Sequence, residues 1–140
     1  MSASSPASPP AGFVPSTGRG DFSTHNGPYW RRENGKVSEQ AFFAEARHCN
    51  GLGVIHGGML CAFLDGVMAG AAARGTGLTP VTMHLSQDFL AMGRAGEWVL
   101  GEGRLLRAAG DLAFVEGRAH VRGRDLAHAT GIFKLLRRRT

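Results

Sequence analysis

The sequence predicts an α+β fold in which an antiparallel β-sheet is wrapped around one long, central, apolar α-helix. Three observations predict it. The first is the run GGMLCAFLDGVMAGAAAR over 57–74, in which Asp65 is the only charged residue before Arg74. The second is the separation along the chain of strand-like segments from that single helix, the order expected of a helix laid on one sheet. The third is period-two alternation near the C-terminus. There Phe114, Glu116, Arg118, His120 and Arg122 interleave with Val115, Gly117, Ala119 and Val121.

The elements follow in order. Residues 1–20 hold Pro6, Pro9, Pro10 and Pro15 among Ser, Ala and Gly, which predicts a flexible tail, or at best a short docking segment, without a function. Residues 21–140 form a single domain, with order expected from about Gly27. A first strand is expected over Tyr29–Glu33, and Asn34-Gly35 is a two-residue hairpin signal. A longer strand is expected over Lys36–Cys49, then a glycine-containing loop over Asn50–His56. A helix over 57–74 that is apolar all round must be buried on most sides. Gly75–Pro80 ends it. Four strands are then expected as an antiparallel meander over Val81–Leu90, Glu97–Arg107, Leu112–Arg122 and Leu126–Arg138. Their turns are Ala108–Asp111 and Gly123–Asp125.

Length and composition bound the function. A chain of 140 residues with 43% hydrophobic content suits one globular domain, and oligomerisation would help to cover its surface. Net charge is +5, and apart from Lys36 and Lys134 every Lys or Arg is Arg. Such a balance favours anionic partners: nucleic acid, acidic lipid and phosphorylated cofactors all qualify. Cys49 and Cys61 form no disulfide or metal pattern, so free thiols and a reducing compartment are expected. No secretory signal and no membrane span are visible, which predicts a cytoplasmic protein. No metal or other cofactor is expected: His48 and Cys49, as adjacent strand residues, would point to opposite faces.

The chemistry concentrates in Asn50-Gly51-Leu52-Gly53-Val54-Ile55-His56-Gly57-Gly58 and in Asp65. Gly57-Gly58 opens the helix. Free N–H groups there, with no Cβ to block approach, make a candidate oxyanion hole. Asp65 has Cys61, Ala62, Met68 and Ala69 at the positions three and four residues away, so it lacks an intrahelical partner. A lone carboxylate in an apolar helix is a candidate nucleophile or general base. Eight residues at about 1.5 Å each set Asp65 roughly 12 Å along the axis from Gly57. Both groups should reach one reacting centre at about 3 Å. Two antiparallel copies could do this, so the spacing favours a site shared across a dimer interface.

Asn-x-x-Gly-x-x-His-Gly-Gly, followed by Asp eight residues after the first of that glycine pair, resembles the PaaI-type branch of the hotdog-fold thioesterases. The resemblance runs from about Gly27 to Leu136 and includes VTMHLSQDFL after the helix. It implies a hotdog fold and hydrolysis of an acyl-CoA thioester by a homo-oligomer, a dimer or a dimer of dimers. It implies that Gly57 donates its N–H to the thioester carbonyl. Asn50, from the same subunit, would bind or orient the thioester or the attacking water. Asp65 of the neighbouring subunit would act as nucleophile or general base, and Thr82 would hold the water beside it. His56 and Gly58 would border the substrate, His56 mainly in a structural role. CoA phosphates would have Arg104, Arg107, Arg118, Arg122, Arg124 and Arg137-Arg138-Arg139 within choice.

Plainer readings stand beside these. Asp65 can be a buried structural carboxylate, Gly57-Gly58 a close-packing device, Asn50 an Asx-turn at a strand end, and Thr82 an ordinary strand residue. Phe42, Phe43, Met59, Phe63, Met83, Phe89 and Met92 can line an acyl pocket or fill the core. Two other function classes compete. One is a non-catalytic acyl-CoA sensor, which would need no carboxylate at 65. The other is a basic nucleic-acid binder, for which the Arg-rich strands carry too few interleaved aromatics.

Overall fold

The computed structural model describes residues 8–35 and 37–137. Its elements are β1 (Val14–Ser16), α1 (Asp21–Asn26), β2 (Tyr29–Asn34), β3 (Val37–Phe43), a 3₁₀ turn (Ala46–His48), α2 (Gly57–Thr76), β4 (Thr79–Phe89), β5 (Trp98–Ala109), β6 (Leu112–Val121) and β7 (Arg124–Leu136). All seven strands join one antiparallel sheet in the order β1-β2-β3-β5-β6-β7-β4. Helix α2 lies across one face and touches β3, β4, β5, β6 and β7.

The pattern of α2 explains this placement. Its buried residues come in pairs: Met59 and Leu60, Phe63 and Leu64, Val67 and Met68, Ala71 and Ala72. Pairs repeating every four residues make one stripe along a helix. Burying Phe63, Leu64, Val67 or Met68, none of which is exposed, stabilises the fold by roughly 1.5–3 kcal/mol each. The Phe63 ring meets Phe42 edge-on at 4.8 Å and stacks on Tyr29 at 6.2 Å. The other side of the helix, with Cys61, Ala62, Asp65, Gly66, Ala69 and Gly70, is only half-buried. An apolar helix was expected to be covered on most sides; in the single chain the sheet covers one.

Glycines in the sheet let α2 come close. A Cβ on Gly101 would lie 2.8 Å from both Phe63 and Val67, and one on Gly103 would lie 2.8 Å from the Val67 carbonyl oxygen. The helix backbone cannot yield as a side chain can, so Gly103→Ala is expected to destabilise the fold by about 1–3 kcal/mol. A lower urea midpoint at unchanged slope would show it.

Several expectations need correction. Within the expected tail 1–20, Val14–Ser16 pairs with Tyr29–Arg31 and Phe13 is buried beneath the Arg32 guanidinium. Two apolar residues with an available sheet edge suffice to order the segment. The strand expected over Lys36–Cys49 ends at Phe43, and Lys36 lies outside the described residues. Beyond it His48 closes the 3₁₀ turn: Nδ1 accepts from the Glu45 N–H at 3.0 Å and Nε2 lies 2.7 Å from the Asn26 carbonyl. Both ring nitrogens are thus occupied, and burial pushes the His48 pKa down.

The expected four-strand meander holds for β5-β6-β7 only. Helix α2 spans the sheet and delivers β4 to the far edge, against β7. The turn between β6 and β7 is Arg122-Gly123, both at positive φ, rather than Gly123–Asp125. Arg138 and Arg139 lie outside the described residues. Among the described residues, no helix is long and apolar enough to cross a membrane.

Candidate active site

Helix α2 starts with a side-chain cap. His56 is the N-cap residue, and its Nδ1 accepts from the Gly58 N–H at 2.8 Å. A Cβ on residue 58 would lie 3.0 Å from Nδ1, so the capping imidazole would have to give way slightly to any residue but glycine. With Gly58 bonded to His56, the Gly57 N–H makes no backbone hydrogen bond among the described residues. The Phe89 ring of β4 lies beside Gly57, 3.5 Å from where its Cβ would be. A free N–H at a helix start, at the positive end of the helix dipole, is suited to an oxyanion.

Asn50 turns the loop that leads into this cap. Its Oδ1 accepts from the N–H groups of Leu52 and Val54, at 2.9 and 3.2 Å. This is the Asx-turn geometry, and only the side-chain amide nitrogen is left for other partners. Asn50 makes no hydrogen bond to Asp65 or Thr82 among the described residues.

Asp65 sits two turns along α2, on the half-covered side. The Thr82 hydroxyl of β4 donates to its Oδ1 at 2.5 Å. The β4–β7 register slips between Thr82 and His84, and such a bulge re-aims neighbouring side chains. A hydrogen bond to a carboxylate is worth about 1.5–3 kcal/mol, enough to fix the direction in which the Asp65 carboxylate points.

One group of the expected site residues therefore meets at the helix start (Gly57, Gly58 and His56, entered by the Asn50 loop), and a second, Asp65 with Thr82, about 12 Å further on. A single chain does not bring the two groups together.

The sequence reading missed Arg19. It comes from the segment after β1, and its guanidinium lies over the Tyr29 ring, 4.4 Å from the centroid. A Cβ on Gly66 would collide with Arg19 Nη2, so the guanidinium packs on the helix next to Asp65. Burial presses the Arg19 pKa down, against the charges of Tyr29 and Asp65. Arg19 and Asp65 share a groove of about 880 Å³ that also takes in Ser38, Gln40, Gly70 and Arg74. A signal existed: Arg19 is the only charged residue among the first twenty.

Of the residues expected to line a pocket or fill the core, Phe42, Met59 and Phe63 are buried. Met83, Phe89 and Met92 are exposed, on or just after β4. Cys61 faces Gln87 of β4, its Sγ 3.2 Å from Oε1, and burial raises its pKa, so it stays a thiol. Among the arginines considered for CoA, Arg118 is bonded to Glu102 and Asp125, and Arg124 to the Met92 carbonyl. Arg104, Arg107, Arg122 and Arg137 are exposed.

Comparison with known proteins identifies the family and the fold. The thioesterase superfamily model matches residues 52–128, which run from the Asn50 loop to β7. The chain belongs to the thioesterase superfamily, and its fold is the hotdog fold. It is 30% identical over 129 residues to the Pseudomonas aeruginosa protein named "Putative esterase PA0474", covering 90% of this chain and 96% of that one. Among solved structures it is similar to a hypothetical thioesterase protein from Streptococcus pneumoniae with coenzyme A. That match has 18% identity and TM-score 0.73, and covers 80% of this chain and 91% of that one. It is also similar to a mutant of phenylacetic acid degradation protein PaaI from Thermus thermophilus. There identity is 22% and TM-score 0.74, over 82% of this chain and 98% of that one.

Proposed function

We propose that this protein is an acyl-CoA thioesterase that works as a homo-oligomer, with its active site shared between two subunits. The observation that carries the reading is the Asp65–Thr82 pair. A carboxylate on an otherwise apolar helix is held by a hydroxyl and opens onto a groove, with no ion pair among the described residues. The unspent N–H of Gly57 supplies the complementary half. The half-covered side of α2 and exposed Val81, Met83 and Phe89 on β4 give a partner subunit apolar surface to bury.

In such a dimer, Asp65 of one subunit faces Gly57 of the other. Asp65 takes a proton from water as the water oxygen bonds to the thioester carbon. The carbonyl oxygen gains the charge and is held by the Gly57 N–H. Collapse breaks the C–S bond, and the CoA thiolate leaves and is protonated. Direct attack by Asp65, through a mixed anhydride that water then opens, uses the same placement. Thr82 orients the carboxylate in either case, and the CoA phosphates fall to exposed arginines.

Free-thiol release from a panel of aryl- and fatty acyl-CoAs tests the proposal. Turnover of at least one member, lost in Asp65→Asn, supports it. Tight acyl-CoA binding without turnover would replace it with the sensor reading.

A further inference from the structure

Two half-buried charges of opposite sign meet the same turn of α2, and neither has an ion-pair partner among the described residues: Arg19 and Asp65. Arg19 is fixed there by a column of buried rings. Its guanidinium lies over Tyr29, Tyr29 stacks on Phe63 with the planes 7° apart, and Phe63 meets Phe42. Its Nη2 presses on Gly66, the residue after Asp65. The pairing of β1 with β2 holds the segment that carries it. The chain before α1 thus delivers a cation beside the carboxylate of the helix.

The other charges along this groove cancel or lie far off. Arg31 pairs with Glu33 at 3.7 Å and Arg32 with Glu39 at 2.5 Å. Arg74 donates to the Gly35 carbonyl and follows Asp65 by nine residues, roughly 13 Å along the axis. Cys61, one turn before Asp65, and Tyr29 are both pushed up by burial and stay neutral. From β4 comes the Thr82 hydroxyl, from β3 Ser38 and Gln40, and from α1 Ser23, none of which ionises. Arg19 remains as the uncompensated charge beside Asp65. The attraction shows at Arg19 itself, where the charges of Tyr29 and Asp65 hold the pKa up against burial.

A guanidinium bonded directly to the carboxylate would occupy the oxygens that the chemistry needs. Arg19 is held on a ring instead and acts through space. One Asp65 oxygen takes the Thr82 hydroxyl, and the other stays available. We propose that Arg19 is a positioning residue of the thioesterase site, a cation held off the Asp65 oxygens that keeps the carboxylate ionised when the partner subunit and the substrate exclude water from this side of α2. Desolvation favours the neutral acid, and a neighbouring cation opposes it. The inference rests on the reading of Asp65 as base or nucleophile, and it needs no access to Arg19 from solvent.

The test is the pH dependence of kcat/KM for the wild type, Arg19→Met and Arg19→Lys, with the acyl-CoA that the wild type hydrolyses best. Met keeps an unbranched stem for packing on Tyr29 and removes the charge. Arg19→Gln, also neutral, repeats the comparison should Met disturb the segment. Asp65 acts only when ionised, so losing the cation moves the acidic limb of the profile to higher pH. The expected move is about one pH unit in the neutral variants, with rates above the limb within a few-fold of wild type. Arg19→Lys restores the charge and should return the limb most of the way. An equal fall at every pH with the limb unmoved would reduce Arg19 to packing and overturn the inference. So would a limb that moves as far in Arg19→Lys as in Arg19→Met.

A readout independent of turnover separates this inference from the catalytic reading. Carbon-13 NMR of labelled Asp side chains follows the Asp65 carboxyl through its titration, the signal being assigned by its loss in Asp65→Asn. A midpoint higher in Arg19→Met than in the wild type, in a protein that hydrolyses no thioester, would keep the electrostatic coupling and remove the catalytic reading. Equal midpoints in the two proteins would remove this inference whatever the turnover.

Discussion

Asp65→Asn is expected to lower thioester hydrolysis about a thousandfold or more with the fold intact. Removing a positioned general base costs roughly 10²–10⁴ in rate, and loss of a nucleophile costs no less. The substitution is nearly isosteric. The Thr82 hydroxyl, which donates to Oδ1, can donate to the amide oxygen instead. Asp65 forms no ion pair among the described residues, though its charge acts favourably on the neighbouring Arg19 guanidinium. Losing that attraction at a half-exposed site should move the denaturation midpoint only slightly. Thiol release and the midpoint, measured on the same preparation, separate lost chemistry from lost structure. Activity retained in the folded variant would take Asp65 out of the mechanism.

Gly57→Pro should cost about 10²–10³ in turnover, the usual effect of removing one oxyanion donor. Position 57 is unusually suited to the change. It is the first residue of α2, where proline is favoured and its missing N–H costs the helix nothing. His56 has φ −62° and ψ 136°, a conformation that a following proline tolerates. The nearest atoms to a Cβ at 57 belong to Phe89, at ordinary contact distance. The variant therefore removes the N–H and sets the ring Cδ in its place, with the fold left to stand as it is.

Its use extends to a mixing experiment with Asp65→Asn. If Asp65 and Gly57 of different subunits form one site, each mixed dimer has one site with both native residues and one with neither. Equal mixing after subunit exchange should then restore about a quarter of wild-type activity, although neither parent is active alone. No recovery despite demonstrated exchange would place both groups in one subunit, against the spacing of about 12 Å along α2 that argues for sharing.

Much of this architecture was legible because local signals and burial agreed. The single charge in the run 57–73 marked both the central helix and the carboxylate on which the proposed mechanism rests. Alternation over 112–122 marked β6, since a strand with one covered face must alternate. Where tertiary contacts decide, the sequence was silent or misleading. His48 ends β3 by hydrogen bonds to Glu45 and Asn26, and no local pattern marks that pairing. Strand β4 goes to the far edge because α2 spans the sheet, which order along the chain cannot reveal.

The same limit applied to the site. Motif spacing singled out Asn50, Gly57 and Asp65, the family resemblance added Thr82, and the Thr82–Asp65 bond depended on how α2 lies against β4. Arg19 was hidden because Ser- and Pro-rich composition predicts disorder, while Phe13, Val14 and Tyr29 order the segment through contacts distant in sequence.

Gly101 and Gly103 on β5 meet Phe63 and Val67, and Gly117 on β6 meets Met68. At these places the sheet has no side chain between itself and α2. Those missing side chains fix the seating depth of the helix, and with it the reach of Asp65 toward the Thr82 hydroxyl. The alignment of the Asp65–Thr82 pair is thus governed by positions that contact neither residue. On the proposed mechanism, changes there would register as altered kinetics with every proposed catalytic group still present.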